Sequence, residues 1–256
     1  MLATGTASKG NVRPMPDYGT DLAAIHDAGY TDPARLGAER LVAELKRSEI
    51  DSGVVVDLGC GSGVSTEVLV GAGYRVLGID PSPAMLALAA ERVPEALFKQ
   101  GSAADAELPH CVAVAALGEP LNYVRSEDPA DADADLAGIF ARVHLALEPG
   151  GLFAFDLAGP DRGAPREAER HWTEGDGWAV LVESVQTGSL LRRRIITFRE
   201  RDEGWRRTEE THLQRLHPAA GVLEHLRAAG FRARAVVGWS GRREQPGHSA
   251  FIARRM

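Results

Sequence analysis

The stretch VVVDLGCGSGVSTEVL, Val54–Leu69, decides how the rest of the 256-residue chain is read. Three valines lead into Asp57 and Leu58, after which Gly59, Gly61 and Gly63 alternate with Cys60 and Ser62. A short apolar run rich in β-branched residues reads as a buried strand. Repeated glycine directly after it marks a tight loop, because a Cβ would block both the turn and the close approach of a bound group. Ser65–Ala72 then reads as a short helix, ended by Gly73.

Outward from this unit the alternation continues. Arg75–Ile79, Ala96–Lys99, Val112–Ala116 and Gly151–Asp156 read as strands, with helices at Ser82–Glu91 and Asp135–Leu147. Ser82 stands at a helix cap, and Pro83 follows where proline is tolerated. DPADADAD, Asp128–Asp135, reads as a solvated loop feeding acids to a helix N-terminus. Upstream, Leu22, Ile25, Leu36, Leu41, Val42 and Leu45 fit one or two helices within Asp21–Lys46, broken near Gly29–Pro33. Residues 1–17 read as a mobile polar lead. Strands alternating with helices through short connections argue for an α/β protein with a doubly wound parallel sheet.

Past Asp156 the pattern changes. WAVLVESV, LLRRRIITFRE and WRRTEETHLQRL are strand-like runs with no helix between them, split by turn signals at Gly188 and Asp202–Gly204. They read as an antiparallel sheet inserted into the core. The core resumes with a helix at Pro218–Ala229 and strands at Ala233–Trp239 and His248–Ala253, joined by the polar turn SGRREQPG. The expected division is an N-terminal helical lid (1–50), an α/β core (51–160 and 218–256) and the inserted sheet (161–217).

The net charge of -7 is unevenly spread. Residues 1–160 carry 11 Lys/Arg against 23 Asp/Glu, and residues 161–217 carry 11 of each. The acidic half disfavours DNA or RNA as a partner and suits a small molecule. The N-terminus MLATGTASKGNVRPMPDYG has no apolar segment, so a cytoplasmic protein without membrane attachment is expected. Cys60 and Cys111 are too few for a disulfide framework and lack metal-ligand spacing; no metal is expected.

In an open parallel sheet, ligands bind beyond the C-terminal ends of the strands. A dinucleotide fingerprint is Gly-x-Gly-x-x-Gly, with the pyrophosphate on the helix N-terminus. Here the order is Gly59-x-Gly61-x-Gly63, preceded by Asp57. An acid at that position suits the ammonium of a methionine moiety and repels a pyrophosphate. Asp80, ending the second strand, can accept the ribose hydroxyls of either cofactor.

VVVDLGCGSG, VLGIDPSPAML, GSAADAELP and LEPGGLFAFDL resemble the successive motifs of class I S-adenosylmethionine-dependent methyltransferases. The resemblance covers about residues 50–160 plus the last helix and strand pair. It implies a Rossmann-like, mostly parallel sheet of seven strands, the last one antiparallel. It also implies S-adenosylmethionine as cofactor and S-adenosylhomocysteine as product. By that resemblance Asp57, Gly59 and Gly61 hold the methionine end, Asp80 the ribose, and Pro81 and Met85 the adenine face. Ser102 and Ala103 approach the adenine edge, and Leu117 and Tyr30 complete the cofactor site. Ser102 stands where many relatives carry Asp, and Val112 where the fourth strand often begins with Asp.

ALGEPLNYV after the fourth strand, the insertion and the N-terminal IHDAGY are similar to sugar N-methyltransferases of natural-product pathways and glycine-type N-methyltransferases. That resemblance implies methyl transfer to N or O of a small molecule, under a lid. Glu119, Tyr123 and His26 are the candidate catalytic residues, with Asn122 and Asp156 nearby; His212 and His248 read as surface or packing residues. Arg192–Arg194 reads as a solvated sheet face with cross-strand acids, or alternatively as an anion clamp. The protein is a monomer or a homodimer through the inserted sheet on this reading. An NAD(P)-dependent oxidoreductase and a non-catalytic S-adenosylmethionine-binding scaffold stay open as alternatives.

Overall fold

The computed structural model describes residues 18–124, 127–162, 169–241 and 247–256. The expected mobile lead at 1–17 and most of the SGRREQPG turn lie outside the described residues. The core sheet has seven strands: β1 (Val54–Leu58), β2 (Arg75–Asp80), β3 (Leu97–Gln100), β4 (Cys111–Ala116), β5 (Leu147–Ala158), β10 (Phe231–Val236) and β11 (His248–Arg255). Their order is β10-β11-β5-β4-β1-β2-β3. β1 to β5 pair in parallel, while β11 runs antiparallel to both β5 and β10. The order reverses at β1, so β1 and β4 flank the crevice where such sheets bind ligands.

Burial explains the sequence pattern. β4 is buried along its whole length, as expected of a central parallel strand covered on both faces. On β5, Phe153, Phe155 and Leu157 enter one core with Phe140 and Phe251. Leu152 and Ala154 enter the other core, with Leu41, Leu45 and Trp239. The first layer is covered by α5 (Pro129–Ala146) and α6 (Ala219–Ala228), the second by α2 (Asp32–Arg47) and α3 (Val64–Gly71). α4 (Pro83–Arg92) follows β2, and Ser82 Oγ caps it by accepting from Met85 N at 3.2 Å. α5 takes in most of the acidic run expected as loop, because proline and acids are favoured in a helix's first turn.

The inserted sheet has four strands, in the order β6 (Glu169–Gly175), β7 (Trp178–Thr187), β8 (Leu190–Arg201) and β9 (Gly204–Arg215), all antiparallel. The sequence reading missed β6. ERHWTEG is an almost fully exposed edge strand and carries no apolar alternation to read. α1 (Thr20–Gly29) packs between this sheet and α4. Leu22 and Ile25 bury against Val180 and Ile195. Asp21, buried beneath the β8–β9 hairpin, accepts from Arg206 and Arg201 at 2.5 Å each, and these guanidinium groups hold its carboxyl below the usual range against the cost of burial. No described helix is long and apolar enough to cross a membrane.

Candidate active site

The glycine loop lies at the C-terminal end of β1. Gly59 N and Cys60 N both donate to Ile79 O, at 2.7 and 3.2 Å, which ties the loop to β2. Gly59 has φ +70°, and a Cβ there would stand 2.3 Å from Pro120 Cβ. Glycine therefore lets the loops after β1 and β4 touch. At Gly61, φ +52°, a Cβ would meet only Met85 Sδ at 4.0 Å. That leaves a cradle between the loop and α4.

Asp80 borders this cradle. Its Oδ2 accepts from Gly61 N at 3.0 Å and its Oδ1 from Ser82 N at 2.9 Å. Asp57 is fully buried. Its Oδ2 accepts from Ser65 Oγ at 2.6 Å and Thr66 Oγ1 at 2.7 Å, while its Oδ1 has no partner. Burial raises its carboxyl pKa, opposed by the two hydroxyls. Pro81 and Met85 flank Asp80 and α4, Met85 being buried. Ser102 and Ala103 follow β3; Ser102 Oγ accepts from Ala104 N at 3.1 Å. Leu117 points elsewhere: it packs in the α2-side core, where its Cδ2 would stand 2.7 Å from a Cβ on Gly37.

The N-terminal segment is fastened over this region. Ser82 Oγ donates to Tyr18 O at 2.6 Å, and Gly19 N donates to Glu210 Oε1 at 3.0 Å. Arg92 joins α1 to the glycine loop, donating to Asp27 Oδ1 at 2.5 Å and Ser62 O at 2.9 Å.

Beyond the cradle, aromatic and imidazole rings from three segments meet. Tyr18 and Tyr123 share a hydroxyl contact of 2.8 Å. His212, fully buried on β9, lies 5.0 Å from the Tyr18 ring and 5.6 Å from the Tyr123 ring. His26 lies 5.4 Å from Tyr18, and Tyr30, half exposed, stacks on it at 5.9 Å. His26 and His212 each keep a buried Nδ1 without a partner; the Nε2 of His212 contacts Glu210 at 3.0 Å. Burial lowers the His26 pKa to about 4, Asp27 opposing and Arg193 adding, so its ring is neutral at pH 7. Burial lifts Tyr18 well above the usual phenol range and raises Tyr123; the Arg193 charge opposes both shifts.

Glu119 does not stand free as a base. It sits at φ +65°, its N donates to Asp156 Oδ1 at 2.6 Å, and its carboxylate pairs with Arg162. Asp156 is likewise engaged, accepting from Trp239 Nε1 at 2.6 Å. Asn122 is a joint: its Nδ2 donates to Ala158 O at 2.9 Å and Arg215 O at 2.5 Å, and its Oδ1 accepts from Ala158 N at 2.9 Å. It pins the loop after β4 to both sheets. Sequence reasoning missed Tyr18 and Arg162, read His212 as a surface or packing residue, and did not separate Arg193 from its two neighbours. Tyr18 lies at the edge of a featureless lead. Arg162 lies in a turn after β5, 43 positions from Glu119, and His212 and Arg193 needed the pairing of β8 and β9 before they could be placed.

A glycine-lined loop at the β1 switch point, an acid ending β2 and a capped helix beyond it stand where α/β sheets of this order bind ligands. Residues 55–151 match the family described as "Methyltransferase domain". The trans-aconitate 2-methyltransferase of Methylobacterium nodulans is 31% identical over 197 residues, covering 70% of this chain and 68% of that one. The chain belongs to the class I S-adenosylmethionine-dependent methyltransferases. It spans about half to two thirds of the length of the first curated relatives it matches. Among solved structures, an S-adenosylmethionine-dependent methyltransferase from Clostridium acetobutylicum shares the fold with a TM-score of 0.78 at 17% identity, covering 91% of this chain and 97% of that one. A sugar N-methyltransferase from Streptoalloteichus sp. does so with a TM-score of 0.73 at 20% identity, covering 100% and 99%.

Proposed function

We propose that the protein transfers a methyl group to N or O of a small molecule held between the strand ends of the core and the inserted sheet. The observation that carries this reading is the meeting of Tyr18, His26, Tyr123 and His212 beside the Gly61 cradle, from three separate segments. The residues suit S-adenosylmethionine: the open cradle over Gly61 accepts a close ligand, and the unpartnered Asp57 Oδ1 suits a cationic end. Asp57 with Gly59 and Gly61 would hold the methionine end, Asp80 the ribose, and Pro81, Met85, Ser102 and Ala103 the adenine. When bound, the cofactor supplies a methyl carbon whose bond to sulfur breaks as the acceptor's lone pair forms the new bond.

The protein's contribution is alignment and the exclusion of water, which together can supply on the order of 7–11 kcal/mol. α1 and the inserted sheet close over the site and serve that purpose. An N–H or O–H acceptor also loses a proton, and His26, neutral at pH 7 with a buried unpartnered Nδ1, would take it only as a weak base. Glu119 acts by holding Arg162 in place, not as the base. The names of the relatives support acceptors as different as a tricarboxylate and a sugar amine. The test is S-adenosylhomocysteine release across amino sugars, amino acids, phenols and carboxylic acids. Turnover with one class identifies the acceptor. Nicotinamide-dinucleotide binding in place of S-adenosylhomocysteine binding would overturn the reading.

A further inference from the structure

We infer that Arg193 binds an anionic group of the methyl acceptor, a carboxylate or a phosphate, beside the cluster of Tyr18, Tyr123 and His212. The inference rests on the methyltransferase reading above and narrows its acceptor class.

The argument begins with the three consecutive arginines of β8. Alternation along a strand puts Arg192 and Arg194 on one face and Arg193 on the other. The outward pair is neutralised: Arg192 donates to Glu127 at 2.6 Å, and Arg194 to Glu209 at 2.7 Å and Glu183 at 2.8 Å. Their neighbours on the hairpin follow suit, with Arg201 and Arg206 on Asp21 and Arg207 on Glu209. Arg193 forms no ion pair with any described residue.

The register fixes where it faces. Arg193 is directly opposite His212 on β9 and Ser184 on β7. Opposed residues of antiparallel strands share a face. His212 is fully buried against Tyr18 and Tyr123, so Arg193 lies on the face that carries this cluster. Its charge reaches Tyr18, Tyr123, His26 and Arg162, consistent with that placement; burial and this neighbouring cation bring the Arg162 pKa down to about 10.

The acids near this cluster are already engaged. Glu119 pairs with Arg162, Glu210 contacts His212 and Gly19 N, and Asp80 accepts from Gly61 N and Ser82 N. A half-buried guanidinium with no carboxylate of its own, beside a hydrogen-bonded phenol pair that keeps one O–H free to donate, is a receptor for a planar or tetrahedral oxyanion. Surface arginines on this sheet are matched with acids, whereas the one turned toward the transfer site is left to the ligand.

The experiment is titration calorimetry on the full chain saturated with S-adenosylhomocysteine. The probes are propane-1,2,3-tricarboxylate and uridine diphosphate, each beside a neutral counterpart, the tricarboxamide and uridine. Binding of one anion but not its counterpart is expected, weakened at least 10-fold by Arg193→Leu and partly restored in Arg193→Lys. Arg192→Leu is expected to leave that affinity unchanged. Which anion binds distinguishes a carboxylate from a phosphate acceptor. The inference is overturned if neither anion binds, or if Arg193→Leu binds it as tightly as the wild type. Arg193-dependent anion binding by a protein with no affinity for S-adenosylhomocysteine would uphold the anion site and overturn the methyltransferase reading.

Discussion

The core sheet and the inserted sheet solve opposite problems. The core strands are parallel and apolar, and β4 is buried from end to end. The features at its proposed cofactor site are backbone and loop features: positive φ at Gly59 and Gly61, and amide groups held by Ile79 O and Asp80. The inserted strands are antiparallel and rich in arginine, and much of their surface is exposed. What they bring to the site is side chains, His212 and Arg193. A cofactor shared by a whole family can be held by a backbone shape, whereas an acceptor particular to one enzyme needs individual side chains. Asn122 joins the two regions.

The comparison can be broken at four points, the largest effect first. Gly59→Ala forces a Cβ toward Pro120 at φ +70° and should destabilise the fold by about 4 kcal/mol in urea unfolding. An unchanged midpoint would mean that the two loops do not need their close contact. Asn122→Ala removes three buried hydrogen bonds and should cost about 3 kcal/mol. Limited proteolysis should then cut the inserted sheet before the core; simultaneous loss of both would show that they unfold as one unit.

Asp80→Ala should weaken S-adenosylhomocysteine binding by about 2 kcal/mol in calorimetry, the scale of a hydrogen bond to a charged group. Equal affinity would remove Asp80 from the cofactor site. The last point is a pH dependence. His26 has a pKa of about 4 in the folded protein against an ordinary 6.5. The unfolded chain therefore binds more protons between those values. The stability linked to this group is complete above pH 6.5 and is lost as pH falls toward 4. Comparing stability against pH with His26→Gln should show a flatter variant across that window. Parallel curves would place His26 in water.

Legibility followed the same division. Val54–Leu58 and the glycines could be read because a buried strand and a tight loop constrain residue type locally. The Ser82 cap was read for the same reason, as was the break between the two N-terminal helices. β6 could not be read, because an exposed edge strand needs no apolar pattern. Glu119 was chosen for its place after β4, but an arginine 43 positions later, from a turn after β5, takes up its carboxylate. His212 looked like any strand histidine until β9 was set against Tyr18 and Tyr123.

The sequence by itself determined the β1–β2 unit, the glycine loop and the acids at Asp57 and Asp80, since these depend on contacts within a few tens of residues. Only the tertiary structure decided what faces the acceptor. Which of three consecutive arginines lacks an acid partner is set by strand register across β7, β8 and β9, and by the segment at Tyr18 folding back over β9. Charge and spacing along the chain are the same for Arg192, Arg193 and Arg194; the face of the sheet is what separates them.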